Sequence, residues 1–151
     1  MNPEVIKSGI VNVSFGPGVK IVEPVNLYGC IIGKNVFIGP FVEIQKNSRV
    51  GDNSRIQSHS FICELVTIGE SCIIGHGVVF INDLFLDKKS VIPDTSKWKP
   101  TSIGNHVYIG SNATILPVRI CDNVTIGAGA VVTSDITIPG KYVGNPAVRI
   151  P

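Results

Sequence analysis

The chain has 151 residues, enough for one domain around one core. Charged residues make up 16% and the formal net charge is +2, so nothing points to general nucleic-acid binding. No apolar run is long enough to span a membrane, and no signal-peptide pattern opens the sequence.

Along the chain, a bulky aliphatic returns every sixth residue. It starts at Phe15, Ile21 and Leu27, with Val13, Val19 and Val25 two residues before each. A one-residue slip leads to Ile32. From there Ile38, Ile44, Val50, Ile56, Ile62, Ile68, Ile74 and Phe80 keep the step without interruption. The column two residues earlier holds Cys30, Val36, Val42, Ser48, Ser54, Ser60, Val66, Cys72 and Val78, all small or β-branched. The column one residue later holds Gly33, Gly39, Gly51, Gly69 and Gly75. An insertion at about residues 83–100 then breaks the pattern. It resumes at Ile103, Ile109 and Ile115, slips once more to Ile120, and runs on through Ile126, Val132 and Ile138.

This is a hexapeptide repeat, a signature of a parallel β-helix. Residues two apart on a strand share a face, so a small and a large residue both point inward. The remaining residues turn a corner, where Gly, Asn and Asp supply the unusual backbone angles. Three strands close a triangular coil, and each coil buries its inner face only by stacking on the next. The expectation is an all-β, single-domain fold over residues 1–151, with about six coils and one protruding loop. A loop that long in so regular a scaffold is usually functional. The last coil stops soon after GNPAVRI without an obvious cap, which also suits a piece of a larger polypeptide.

The four cysteines, Cys30, Cys63, Cys72 and Cys121, form no CxxC pair. Cys30 and Cys72 occupy small inward positions and read as core thiols, which fits a reducing, cytoplasmic setting.

The segments IGSNATILP (109–117), IGAGAVVTSDI (126–136) and YVGNPAVRI (142–150) resemble the acetyl-CoA-binding end of the hexapeptide-repeat acyltransferases. That resemblance covers the whole chain. It implies a left-handed β-helix, a homotrimer, and acyl-CoA in a groove between subunits. More narrowly, RIQSHSFICELVTIG (55–69), GVVFINDLF (77–85) and KWKPTSIGNHVYIGSNATI (97–115) resemble sugar-nucleotide N-acetyltransferases that acetylate a 3-amino group. Gln57, Glu64 and Asn82 keep that family's Gln, acidic residue and Asn. His59 stands where Asn is common, and Lys88 and Lys89 replace a Pro-Arg pair.

Register places the candidate chemistry on one corner. That corner reads Gln57-Ser58-His59, then Gly75-His76-Gly77, Gly110-Ser111-Asn112 and Gly127-Ala128-Gly129. Coils stack about 4.8 Å apart, so His59 and His76 should be near neighbours. Toward the C-terminus the edge shrinks to Gly, Ser and Ala, which suits a thin pantetheine arm lying on Gly110, Ser111, Ala128 and Ala130. Lys141 and Arg149 are the cations for its phosphates, with ordinary surface charge as the plain alternative. His59 is the candidate base for the substrate ammonium; a mere corner hydrogen bond is the alternative. His76 lines the groove, and His106 reads as solvated. Asn82, the second candidate catalytic residue beside His59, and Asp83 match the segment that meets the sugar in the resembling family, although Asn and Asp also open loops for local reasons. The same resemblance gives Glu64 a substrate role, with a solvated corner carboxylate as the alternative. In the insertion, Trp98 can stack on a nucleobase, with Lys88, Lys89, Lys97 and Lys99 at a pyrophosphate as point charges; a solvated basic face is the alternative.

The expected activity is acetyl transfer from acetyl-CoA to the amino group of a nucleotide-linked amino sugar. It would proceed by direct attack without a covalent acyl-enzyme, since no cysteine lies in the groove corner. Backbone amides near Gly75 to Gly110 would hold the oxyanion, with no single one marked by the sequence. No metal, membrane or nucleic-acid partner is expected. Three other readings stand beside this one. A γ-class carbonic anhydrase needs three convergent histidines, a non-catalytic trimeric scaffold would not bind coenzyme A, and an O-acetyltransferase carries a histidine where this chain has Ile81 to Phe85.

Overall fold

A computed structural model of the chain describes residues 1–86 and 90–151, so Lys88 and Lys89 lie outside the described residues. The strands fall into three sheets that the chain visits in rotation. Sheet I stacks Ile10–Val11, Asn26–Tyr28, Glu43–Ile44, Phe61–Ile62, Val79–Phe80, Thr114–Ile115 and Val131–Val132. Sheet II stacks Ser14–Phe15, Ile31–Ile32, Arg49–Val50, Val66–Ile68, Thr101–Ile103 and Arg119–Ile120. Sheet III stacks Lys20–Ile21, Phe37–Ile38, Arg55–Ile56, Ile73–Ile74, Tyr108–Ile109, Val124–Ile126 and Gly140–Val143. Pairing between successive coils is parallel and in register, as in Ile38 on Ile56 and Ile74 on Ile109. The result is a parallel β-helix of about seven turns, consistent with left-handed winding. The column reading gives about six, because the lowest strand, Ile10–Val11, precedes the first repeat and leaves Phe15 exposed at the end of the stack.

The core is the aliphatic column itself. Leu27, Ile38, Ile44, Ile56, Ile62, Ile74 and Phe80 are wholly buried. Each such side chain contributes on the order of 2 kcal/mol by leaving water. The serines of the small column are buried too, and each bonds the coil above. Ser48 Oγ donates to the Cys63 carbonyl at 2.7 Å, and Ser60 Oγ to that of Gly75 at 2.7 Å. Burial without a partner would cost roughly 1–3 kcal/mol apiece. Cys30 and Cys72 are core thiols as expected, and Cys63 joins them.

Two differences from the column appear near the C-terminus. Ile136, not Ile138, closes the apolar column. Ile136 bridges Ile120 and is buried, while Ile138 is exposed, because the last turn from sheet I to sheet II is shortened. The stack also ends on a hairpin, in which Val148–Ile150 folds back antiparallel on Gly140–Val143. No repeat foretells that reversal.

Candidate functional site

Sheet I has two edges, and the expected site residues divide between them. The edge where sheet III turns into sheet I carries Gln57, Ser58, His59, Gly75, His76, Gly110, Ser111 and Ala128. The edge where sheet I turns into sheet II carries Glu64, Asn82, Asp83, Trp98 and Lys99. One chain therefore carries the candidate residues in two groups, separated by the width of sheet I.

On the III–I edge the third residue of each corner has a positive φ: 63° at His59, 64° at Gly77, 60° at Asn112 and 69° at Gly129. Its N–H reaches back to the coil below. His59 donates to the Pro40 carbonyl, Gly77 to Ser58, Asn112 to His76 and Gly129 to Ser111. The N–H groups of Gly75 and Gly110 are likewise engaged, by Ile109 and Ile126. The expectation of an oxyanion donor near Gly75 to Gly110 therefore does not fall on these two N–H groups. The second residue of each corner differs: among the described residues the N–H groups of Ser111 and Ala128 take no hydrogen bond. A groove runs along these corners, lined by Gln57, Ile73, His76, Tyr108, Ser111 and Thr125.

The two histidines are in adjacent corners but face different surroundings. His59 packs its ring on Phe41 of the coil below, with centroids 4.8 Å apart and planes tilted by 33°. His76 lies in the groove, and its Nδ1 is 2.8 Å from Ser58 Oγ. His106 sits where sheet II turns into sheet III, so the three imidazoles do not converge. Among the described residues no three His, Cys, Asp or Glu side chains come together as metal ligands.

The two expected phosphate cations part company at the groove's far end. Ile73, Tyr108, Thr125 and Lys141 follow one another up the outer face of sheet III. Lys141 thus tops the column that lines the groove. Arg149 pairs with Tyr142 instead, and its guanidinium lies over Gly140. It is on the opposite face of the hairpin from Lys141, since neighbours in a strand alternate. Ala130 does not reach the groove. Its methyl is in the core, its N–H donates to Gly127, and its carbonyl accepts from Thr114.

On the I–II edge, side chains rather than backbone make the surface. Asn82 is nearly buried; its Nδ2 donates to the Glu64 carbonyl at 3.2 Å, and its own carbonyl accepts from the N–H of Lys99. Trp98 Nε1 donates to Asp83 Oδ2 at 3.2 Å, while Asp83 Oδ1 accepts from the Phe85 N–H at 2.8 Å. Asp83 thus clasps both ends of the loop. Lys97 pairs with Asp94 at 3.3 Å. Below the loop, Glu64 is largely covered and meets Lys46 Nζ at 3.7 Å. Its N–H donates to Gln45 Oε1, and Gln45 Nε2 donates to Glu43 Oε1 at 2.8 Å. Burial first, then the carboxylates of Glu43 and Glu64, push the Tyr28 phenol above its ordinary range. Burial also pushes the neighbouring Cys63 thiol up to about 12. Sequence reasoning missed Tyr28, Glu43, Gln45 and Lys46. The signal was present: Gln45 stands one coil below Cys63 and Glu64 in the same turn.

Comparisons with known proteins agree with this architecture. The bacterial transferase hexapeptide family (six repeats) matches residues 29–64, and the hexapeptide repeat of succinyl-transferase matches residues 100–134. The chain is 36% identical over 106 residues to the bifunctional protein GlmU of Clostridium botulinum, covering 70% of the chain and 21% of that protein. It is also 36% identical over 126 residues to GlmU of Thermotoga petrophila, 83% of the chain and 24% of that protein. The chain thus spans about a fifth of the length of these curated relatives. Among solved structures, a mutant perosamine N-acetyltransferase from Caulobacter crescentus, in complex with CoA and GDP-perosamine, superposes with a TM-score of 0.66 at 20% identity. The match covers 95% of this chain and 58% of that one. A maltose O-acetyltransferase from Clostridium difficile 630 gives 0.66 at 28% identity, over 81% and 68%. The acetyltransferase domain of PglB from Neisseria gonorrhoeae, with acetyl coenzyme A, gives 0.67 at 21% identity, over 91% and 57%.

Proposed function

Taking the chain as a hexapeptide-repeat protein, we propose that it transfers an acetyl group from acetyl-CoA to the amino group of a nucleotide-linked amino sugar. The observation that carries this reading is the III–I groove, with its small residues, two unengaged backbone N–H groups and a lysine at its end. From Ile73 to Lys141 is three coil spacings, about 14 Å in all. An extended arm would lie on Ser111 and Ala128 by its amides, with its phosphates at Lys141 and its thioester at His76. The amine would attack the thioester carbon directly. Perosamine N-acetyltransferase, which shares this fold, was solved with CoA and GDP-perosamine bound. Soluble behaviour is part of the proposal; no helix among the described residues is long and apolar enough to cross a membrane.

The acceptor would sit against the other edge. Trp98 would stack on the base, and Glu64 and Asn82 would face the sugar. One chain cannot bring its two edges together, but three can. The outer column of sheet I reads Asn26, Glu43, Phe61, Val79, Thr114 and Val131, without a lysine or arginine. The columns of sheets II and III carry Arg49, Arg119, Lys20, Arg55 and Lys141. Facing sheet I toward a three-fold axis would set the I–II edge of one copy beside the III–I edge of the next. Light scattering should therefore give a trimer, and Val79→Lys should dissociate it and abolish transfer. An active monomer would refute the composite site.

The activity itself is tested by incubating the protein with acetyl-CoA and nucleotide-linked 3-amino and 4-amino sugars, reading released thiol. Hydroxyl sugars belong in the same panel, because the maltose O-acetyltransferase likeness supports an O-acetyl reading. Thiol release only with amines supports the proposal. Release only with hydroxyl acceptors replaces it, and failure to bind coenzyme A favours a scaffold.

A further inference from the structure

Resting on that reading, we propose that His76 takes the proton of the attacking amine and that Ser58 is its positioning residue. The two histidines of the III–I edge are not equivalent. His59 holds a left-handed backbone, turns its N–H down to Pro40 and packs its ring on Phe41, toward the N-terminal coils. His76 is one coil closer to Gly110 and Ser111 and is part of the groove wall. Of the residues lining that groove, Gln57, Ile73, Gly75, Ile109, Gly110, Ser111, Thr125 and Ile126 carry no charge. Tyr108 is the one other ionisable side chain of that lining. His76 is thus the one imidazole in that lining, the side-chain type most often used to take a proton in catalysis.

A base needs a defined tautomer as well as a place. Ser58 occupies, one coil below, the same corner position as His76, so the stacking of coils fixes their 2.8 Å contact. When Nδ1 carries the proton and donates to Ser58 Oγ, the lone pair on Nε2 is left for the substrate. This is the positioning that a second group gives a catalytic imidazole by engaging its other nitrogen. As the amine nitrogen attacks, an N–C bond forms at the thioester carbon and the nitrogen's proton passes to Nε2. The C–S bond then breaks with its electron pair on sulfur. The thiolate recovers the proton from Nε2, so the imidazole ends neutral and the products are the amide and free coenzyme A.

The pair is tested in two independent ways on the full chain. The first is nitrogen NMR of the imidazoles, with His76→Asn to assign the signal. The wild-type ring should carry its proton on Nδ1, and Ser58→Ala should return it to the Nε2–H form usual for free imidazole. A wild-type ring already protonated on Nε2 overturns the positioning role, whatever the activity. The second is kinetics on whichever acceptor the panel identifies. Ser58→Ala should lower kcat about tenfold with little change in the KM for acetyl-CoA, and Ser58→Thr should restore most of it. His76→Asn should cost about 10² to 10⁴ in kcat, within the usual range for loss of a general base, and more than His59→Asn. A larger loss at His59 overturns the assignment. A wild type inactive with every acceptor, yet showing the Nδ1–H tautomer, refutes the transferase reading and leaves the Ser58–His76 arrangement standing.

Discussion

The two edges of sheet I were made from the same repeat under different constraints. On the III–I edge every step between large residues is six, from Ile21 to Leu27 through Ile126 to Val132. On the I–II edge the step shortens from Leu27 to Ile32, from Ile115 to Ile120 and from Val132 to Ile136, and between Phe80 and Ile103 it opens into the long loop. Up to the C-terminal hairpin, the irregular steps all fall on one of the three corners. The regular edge stacks backbone on backbone and builds a groove any chain of coils could offer. The irregular edge is cross-linked by side chains, Trp98 to Asp83 and Asn82 to Glu64, and can differ from protein to protein without disturbing the stack. Under the proposed transfer, the donor would lie on the first and the acceptor on the second.

The largest effect should come from thickening the regular edge. A Cβ on Gly75 would lie 2.7 Å from the Ile109 carbonyl oxygen and 2.8 Å from the Ser111 nitrogen, both backbone atoms of the next coil. Neither can move without parting the stack. Gly75→Val should cost several kcal/mol, about 3 or more, as overpacking of a rigid interior does. Thermal unfolding should fall by many degrees and coenzyme A binding should vanish with it. A variant as stable as wild type would show that the edge is not close-packed.

Next comes the irregular edge. Trp98→Ala removes a side chain that touches the loop and not the core. Base stacking on an aromatic ring is worth about 1–3 kcal/mol, so affinity for the sugar nucleotide should drop about tenfold while that for coenzyme A stays within twofold. Calorimetry on both ligands decides it; equal losses would mean that the two edges do not act separately.

The fold was readable before any coordinates because its period is also its packing rule. The same arithmetic even places Ala130, two residues before Val132, in the small inward column, where it is found and where it cannot meet a cofactor. What could not be read are the contacts that break the period. Asp83 and Trp98 meet across an insertion that has no register. Arg149 follows a turn after which the strand reverses, so counting from Lys141 puts it on no predictable face. The tilt of His59 onto Phe41 depends on two side chains in adjacent coils that the column marks only as corners.

Alkaline conditions should separate the edges more gently. Burial raises the Cys63 thiol to about 12 and the Cys30 thiol to about 11, and both lie at I–II corners. At the III–I corners Val42, Ser60, Val78, Ala113 and Ala130 take the inward position that Cys30 has, and Gly39, Gln57, Gly75, Gly110 and Gly127 take the position of Cys63. An unfolded chain gives up thiol protons near pH 9, whereas the folded one retains them. The contribution of these thiols is therefore complete below pH 9 and declines as pH rises through 11 to 12. Urea unfolding should show a downward slope in that window, reduced in Cys63→Ala relative to its own stability at pH 7. An equal slope in that variant would remove Cys63 as a cause.

The smallest effect lies in the C-terminal hairpin, where two cations one strand apart should behave differently. Lys141 stands on the outer face of sheet III above Thr125, in line with the groove, whereas Arg149 lies across Gly140 on the other face. An exposed lysine facing a phosphate acts as a point charge in water, and such pairs are worth about 1 kcal/mol or less. Lys141→Ala should weaken coenzyme A by about threefold to fivefold at low salt, with the difference shrinking toward 0.5 M salt as the charges are screened. Arg149→Ala should leave that affinity nearly unchanged and lower hairpin stability instead, because the guanidinium covers backbone at Gly140. Titrating coenzyme A against both variants at two ionic strengths separates these outcomes. If Arg149→Ala were the more damaging to affinity, the phosphates would lie over the opposite face of the hairpin, and the groove would have to leave the sheet III column before its end.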